Sequence, residues 1–272
     1  MKRYLALLFA ASATAPVLAQ HEGHGVEEPP PAAFSGPPHA ADTLFDPEQM
    51  TAAREQLRVE QGGMRNYLIM EDRFEIRAGD GEQKYLWDVQ GWYGGDISKL
   101  WLKSEGGGVL DESPESVEFQ ALYSRAIAPF FDLQAGVRHD LSPDPERTHL
   151  VLGLQGLVPY FFEIDAAAFL SDEGDLTGRL QWEFDLQIAQ RLLLQPRLEL
   201  NFAAQEIAEL GIGSGLASAE AGVRLRYEIR REFAPYIGIG WERKLGDTAD
   251  FARAAGDDRG GFEAIFGVTS WF

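Results

Sequence analysis

The sequence predicts an all-β protein: a transmembrane antiparallel β-barrel of about twelve strands, with a disordered extension ahead of it. Three observations predict it. From about Asn66 to the end, apolar and polar residues alternate with period two, in several runs for ten residues or more. Beyond the first twenty residues, nothing approaches the ~18 consecutive apolar residues that mark a membrane-spanning helix. The last alternating run, FEAIFGVTSWF, closes on the aromatic pair Trp271-Phe272. Strands that turn one face to lipid and the other to a wet lumen average to a middling hydropathy. The chain has 45% hydrophobic residues and a mean hydropathy of -0.22, which fits that averaging.

The chain opens with Met1-Lys2-Arg3, continues through the apolar run YLALLFAASATAPVLA and reaches Val17-Leu18-Ala19. This is the three-part pattern of a secretory signal peptide, with cleavage expected after Ala19. The apolar run is broken by Pro16 and falls short of the ~20 residues needed to span hydrocarbon. Residues 20–62 form the extension. As far as about Met50 it is rich in Pro, Ala, Gly and acid and too poor in apolar residues to bury a core, so it reads as a mobile tail. A short helix is expected over 51–60, TAAREQLRVE, ended by Gly62-Gly63. The barrel occupies 63–272.

Its clearest strand is LTGRLQWEFDLQIAQ. Leu176, Leu180, Trp182, Phe184, Leu186 and Ile188 point one way, and Thr177, Arg179, Gln181, Glu183, Asp185 and Gln187 the other. A basic residue on the lipid face would cost about 2–4 kcal/mol at mid-depth, which explains the separation. Strands are expected over 67–77, 84–93, 99–104, 117–127, 130–141, 149–157, 161–170, 176–189, 191–204, 217–231, 234–245 and 261–272. The count is even, as in bacterial single-chain barrels. Short turns fall at Gly94-Gly95-Asp96, Ala128-Pro129, Val158-Pro159, Gln190-Arg191 and 232–235, and these belong on the periplasmic side. Longer loops fall at 105–116, 142–148, 205–216 and 246–260. A final Phe272 resembles the signature read by outer-membrane assembly machinery, and its ring suits the interfacial girdle.

There is no cysteine, so soft-metal chemistry would rest on His and Met. The formal charge of -19, with Lys2 and Arg3 lost in the leader, argues against nucleic acid as a partner. On the inward strand faces, Asp132, Glu163, Asp165, Glu183, Asp185, Glu199 and Glu228 are expected to pair with Arg138, Arg179, Arg197, Arg224 and Arg226, closing or tuning the lumen. No catalytic constellation is visible. The loop string GIGSG at 211–215 lacks the Lys-Ser/Thr of a phosphate cradle, and the reading is non-enzymatic.

Several strings carry a resemblance: LWLKSEG at 100–106, QALYSRAIAPFFDLQAGVRHD at 120–140, QGLVPYFFEIDAAAF at 155–169, QRLLLQPRLELNF at 190–202, and GIGSGL with GVRLRYEIRREFAPYIGI within 211–239. GDTADFARAAGDD at 246–258 adds to them, so the resemblance covers essentially the whole barrel. The chain resembles the copper-resistance protein B family. The resemblance implies an outer-membrane barrel for copper tolerance with an N-terminal extension in the periplasm, working beside periplasmic copper proteins such as a multicopper oxidase or a copper carrier. The family's repeated Met-rich motifs are missing from this extension.

Candidate copper ligands follow from donor chemistry. His21 and His24 bracket Glu22 in the segment that becomes the mature N-terminus, a set suited to Cu(II). His39 and Met50 lie further along the extension. Met64 and Met70, six apart at the entry to the first strand, offer thioethers for Cu(I) and are expected to share a face. His139 and His149 flank the loop SPDPERT, where a hairpin would bring them together beside Asp140. The expectation is weak, transient copper binding by an outer-membrane protein. Two alternatives stand beside it: a general small-solute channel in which His and Met are incidental, and an outer-membrane hydrolase.

Overall fold

The computed structural model describes residues 36, 38–79 and 82–272. The alternating runs form β1 (Asn66–Ala78), β2 (Lys84–Gly94), β3 (Ser98–Val109), β4 (Ser116–Ala128), β5 (Phe131–Ser142), β6 (Arg147–Val158), β7 (Phe162–Ser171), β8 (Leu176–Glu183), β9 (Leu186–Ala189), β10 (Leu192–Ala203), β11 (Gly215–Tyr227), β12 (Phe233–Lys244) and β13 (Phe262–Trp271). Neighbours in sequence pair antiparallel, and β13 returns to β1 from Met70↔Trp271 to Ala78↔Ala264, so the sheet closes on itself. Phe272 seals the seam by exchanging backbone hydrogen bonds with Ile69 at 2.9 and 3.1 Å. β8 and β9 both pair with β10 and are two pieces of one ribbon, so the ring has twelve staves.

Pro196 explains the interruption, which the alternation of 176–189 did not reveal. In the ladder between β10 and its neighbour it stands opposite Phe184, where it can accept a hydrogen bond from Phe184 N at 3.2 Å but has no N–H to return. The ribbon therefore breaks at Phe184-Asp185. A second irregularity lies in β1, where the register shifts between Glu71 and Phe74. The bulge inserts one residue and reverses the alternation. Below it Tyr67 and Ile69 are exposed; above it Arg73, Glu75 and Arg77 are buried in the lumen and Phe74 faces out.

The outer surface is apolar. Leu100, Leu102, Leu150, Leu152, Val223, Ile237, Ile239 and Phe266 are all exposed there, on staves spread around the ring. Tyr67, Tyr93, Phe130, Tyr160, Phe161, Phe233 and Phe272 are exposed near the end that carries the short turns, as an interfacial girdle requires. That end carries turns 95–97, 129–130, 159–161, 190–191 and 228–232 together with both ends of the barrel chain. The opposite end carries the connection from β1 to β2 and the segments 110–115, 143–146, 172–175, 204–214 and 245–261.

Three boundaries differ from expectation. β3 continues to Val109, because Gly106-Gly107-Gly108 pair with Trp87, Leu86 and Tyr85 of β2 despite lacking side chains to betray a strand. β11 stops at Tyr227, which leaves Glu228 in the turn beyond it rather than on the lumen wall. The expected loop 246–260 contains a helix, α2 (Gly246–Ala255), which buries Ala252 and Thr248; Thr248 Oγ1 accepts a hydrogen bond from Gly213 N at 2.9 Å.

The described residues up to Glu60 form a separate compact unit. Its helix α1 spans Pro47–Leu57, four residues earlier than the expected start at Thr51. The start signal is Asp46-Pro47: Asp46 Oδ1 accepts from Glu48 N and Gln49 N at 3.0 Å each, and proline suits the first helical position. Arg54 reaches back to Asp42 through two bonds of 2.5 and 3.1 Å.

Candidate functional site

Inward-facing residues build two kinds of interior. From the short-turn end, marked by Pro129, Phe130, Leu157 and Arg226, a chamber of about 500 Å³ extends up to Arg73, Glu105, Glu118 and Arg179. One wall is apolar, where Trp101, Leu122, Val151 and Phe169 pack together from β3, β4, β6 and β7, with Met70 against them. Three of its cations each take a single acid. Lys99 reaches Asp132 at 3.2 Å, Lys103 reaches Asp165 at 2.6 Å, and Arg226 pairs with Asp185 at the strand break. Glu163 lines the chamber and enters no ion pair among the described residues.

Beyond the chamber the charges join into one web. Asp140 binds Arg138 at 2.6 Å, Arg138 binds Glu118 at 2.9 Å, and Glu118 binds Arg179 at 2.8 Å. Arg179 also reaches Glu105 at 2.8 Å, and Glu105 binds Arg73 at 2.8 Å. Arg73 stands 3.8 Å from Glu220, which binds Arg77 at 2.9 Å; Arg77 holds Glu75 at 2.8 Å, and Glu75 binds Arg224 at 2.6 Å. Arg197 hangs from the web through Glu199 at 2.9 Å. Arg179 stands on β8 and Glu105 on β3, five staves away by the shorter way round, so their contact crosses the bore.

The web has a fixed end. Arg224 is 1% exposed and Glu75 also 1% exposed, and Tyr236 Oη donates to Glu75 at 3.0 Å. Gly267 makes room for this group: a Cβ there would stand 2.5 Å from the Tyr236 ring. Three guanidinium groups crowd one carboxylate oxygen. Arg73 Nη1, Arg197 Nη1 and Arg224 Nη2 are buried without hydrogen-bond partners among the described residues, and each lies 3.7–3.8 Å from Glu220 Oε1, which already accepts from Arg77.

The expected lumen acids and arginines line the interior except Glu228, but several partners differ. Asp132 and Asp165 pair with Lys99 and Lys103 rather than with arginines. Glu183 accepts from Gln195 at 2.6 Å and lies 3.8 Å from Arg197. Arg73, Glu75 and Arg77 were hidden by the bulge, and Glu105 by its run of glycines. Glu118 and Glu220 stood in plain alternation and could have been added to the lumen set.

The candidate copper ligands separate. His21 and His24 lie outside the described residues. His39 precedes a 3-10 turn at Ala40–Thr43, and it shares with Met50 of α1 a hollow of about 270 Å³. Met64 is exposed ahead of β1, whereas Met70 lines the chamber, so the two do not share a strand face. His139 and His149 do not form a pair. The hairpin places Arg138 opposite His149 and His139 opposite Thr148, and period two sends the two imidazoles to opposite faces of the sheet. His139 faces out, with Nδ1 3.0 Å from Thr148 Oγ1. His149 faces the lumen, buried, with Nε2 3.0 Å from Asp140 Oδ2 and Nδ1 without a partner among the described residues. Among the described residues no group of three or more His, Asp or Glu is placed to hold a metal ion.

Comparison with known proteins fits this architecture. The family model for the copper resistance protein B precursor (CopB) matches residues 65–272. Copper resistance protein B of Escherichia coli is 42% identical over 207 residues, covering 76% of this chain and 70% of that protein. A copper resistance protein B homolog of Pseudomonas syringae pv. tomato is 35% identical over 277 residues, covering 98% of this chain and 94% of its own. Among solved structures, the NanC porin has the same fold, with a TM-score of 0.51 at 13% identity over 75% of this chain and 99% of that one. An apolar-coated closed barrel of porin type, joined to these sequence matches, places the chain in the outer membrane and in the copper resistance protein B family.

Proposed function

We propose that this protein is a non-enzymatic copper handler of the outer membrane, for which copper is transient cargo. The observation that carries the reading is the hollow shared by His39 and Met50: an imidazole and a thioether on one small unit, a donor set that suits copper in either oxidation state. Two donors make a weak site, suited to capture and release. His149 is a second station. Its Nε2–H is held by Asp140, which leaves the Nδ1 lone pair free, the arrangement found where a carboxylate orients a metal-binding imidazole. His21 and His24 would extend the donor set in the mature tail, and Met70 would present a thioether inside the chamber.

In this reading residues 1–19 are removed on export, residues 20–62 lie in the periplasm, and the extension exchanges copper there with a multicopper oxidase or a carrier. Phe272 serves recognition by the assembly machinery. The test is copper binding by the detergent-folded mature protein, intact and with residues 20–60 removed. Loss of copper on truncation, and weakening by His39→Ala with Met50→Ala, are expected; unchanged stoichiometry would remove the extension from the mechanism.

The mixed-charge chamber favours a second reading, a general channel for small solutes. Copper sensitivity of a deletion strain, rescued by the intact gene but not by one carrying His21→Ala, His24→Ala, His39→Ala and Met50→Ala, separates the two. Lipid hydrolysis by the purified barrel would restore the hydrolase alternative.

A further inference from the structure

We propose that the ion-pair web is a gate across the bore and that Arg179 is its latch. The chamber reaches inward from the short-turn end and stops at Arg73, Glu105, Glu118 and Arg179. There, Arg179 leaves the β8 wall and binds carboxylates of β3 and β4 at 2.8 Å each. A side chain held by both walls occupies the path that a hydrated ion would take. Its guanidinium lies over the Phe169 ring, 5.8 Å from the centroid, beside that of Arg138 at 4.7 Å, so an apolar platform supports the closed position.

The two ends of the web suit a moving part and a fixed one. Glu75, Arg224 and Tyr236 are sealed into space left by Gly267 and act as the anchor. Glu220 is the exchange point. It accepts a hydrogen bond from Arg77 while Arg73, Arg197 and Arg224 each hold an unpartnered nitrogen 3.7–3.8 Å from the same oxygen. Carboxylate and arginines can therefore trade partners over short distances, and a web with alternative pairings can rearrange without leaving a charge bare. Release of Arg179 would free Glu105 to be held by Arg73 alone and Glu118 by Arg138, connecting the chamber with the loop-bearing end.

The test is conductance of the full mature chain in planar lipid bilayers with potassium chloride as the only probe, so the outcome does not depend on copper. Wild-type barrels are expected to conduct weakly, and Arg179→Gln to raise single-channel conductance several-fold. The double variant Glu105→Gln, Glu118→Gln removes the latch from the opposite wall and is expected to do the same; if Arg179→Gln fails to fold, the double variant decides alone. Folding is checked by resistance of the barrel to unfolding in cold detergent. Wild-type conductance equal to that of folded latch variants would overturn the gate.

Discussion

The chamber and the web above it are made from the same residue types, yet their charges are organised oppositely. In the chamber Lys99, Lys103 and Arg226 each take one acid, beside an apolar wall. In the web nearly every arginine touches two or more acids, and nearly every acid two or more arginines. Isolated and partly solvated pairs contribute little to stability, about 0–1 kcal/mol each. Removing one partner from a fully buried pair costs much more, about 3–5 kcal/mol, because an uncompensated charge stays behind. Stability and solute space are thus divided along the barrel axis.

The sharpest way to break that contrast is at Glu75. Glu75→Leu would strand Arg224 without its carboxylate and is expected to destabilise the barrel by about 3–5 kcal/mol in urea unfolding from lipid vesicles. Glu163→Gln, in the chamber and in no ion pair among the described residues, is expected to change stability by roughly 0.5 kcal/mol or less. Equal effects at the two positions would erase the distinction between the halves.

The outer face provides the next largest effect. Leu152 lies midway along β6 and is exposed, so Leu152→Arg is expected to cost about 2–4 kcal/mol. The neighbouring lumen position Gly153 belongs to the chamber, a Cβ there would meet only ordinary contacts of 3.5 Å or more, and Gly153→Ser is expected to fold normally. A tolerated Leu152→Arg would mean that this face does not meet lipid.

The extension should give the smallest effect. The hydrogen bond from Arg54 holds the Asp42 carboxyl below its ordinary range. A depressed folded value means that its stabilising contribution is present above the unfolded carboxylate range and is lost as pH falls through the folded value. Protection of the amides over 40–57, taken relative to the intrinsic exchange rate at each pH, is expected to be steady near neutral pH and to fall in acid, and Arg54→Ala is expected to remove that step. A step that persists in Arg54→Ala would assign it to another carboxylate.

Much of this was legible in the sequence, because period two is a strong signal when one face meets lipid and the other water. The twelve staves and the short turns followed from it. What was hidden has identifiable causes. A bulge reversed the phase at Glu71–Phe74 and concealed Arg73, Glu75 and Arg77. Pro196 broke the ribbon on the neighbouring stave, an effect that needs the pairing to be known. Gly106-Gly107-Gly108 carry no side-chain pattern, so Glu105 falls in the expected loop 105–116 rather than on the strand. The separation of His139 from His149 was available in principle: hairpin register and parity together place them on opposite faces. Cross-bore partners such as Arg179 with Glu105 depend on closure and shear, which one chain's alternation does not encode.

Cysteine accessibility tests the division of the bore most directly, because the chain has no cysteine of its own. Thr177→Cys would place a thiol on the inward face of β8 above the web, and Gln155→Cys one in the chamber. With a membrane-impermeant maleimide added outside intact cells, Thr177→Cys is expected to react and Gln155→Cys to stay unlabelled until the outer membrane is permeabilised. Equal labelling of both from outside would contradict the account.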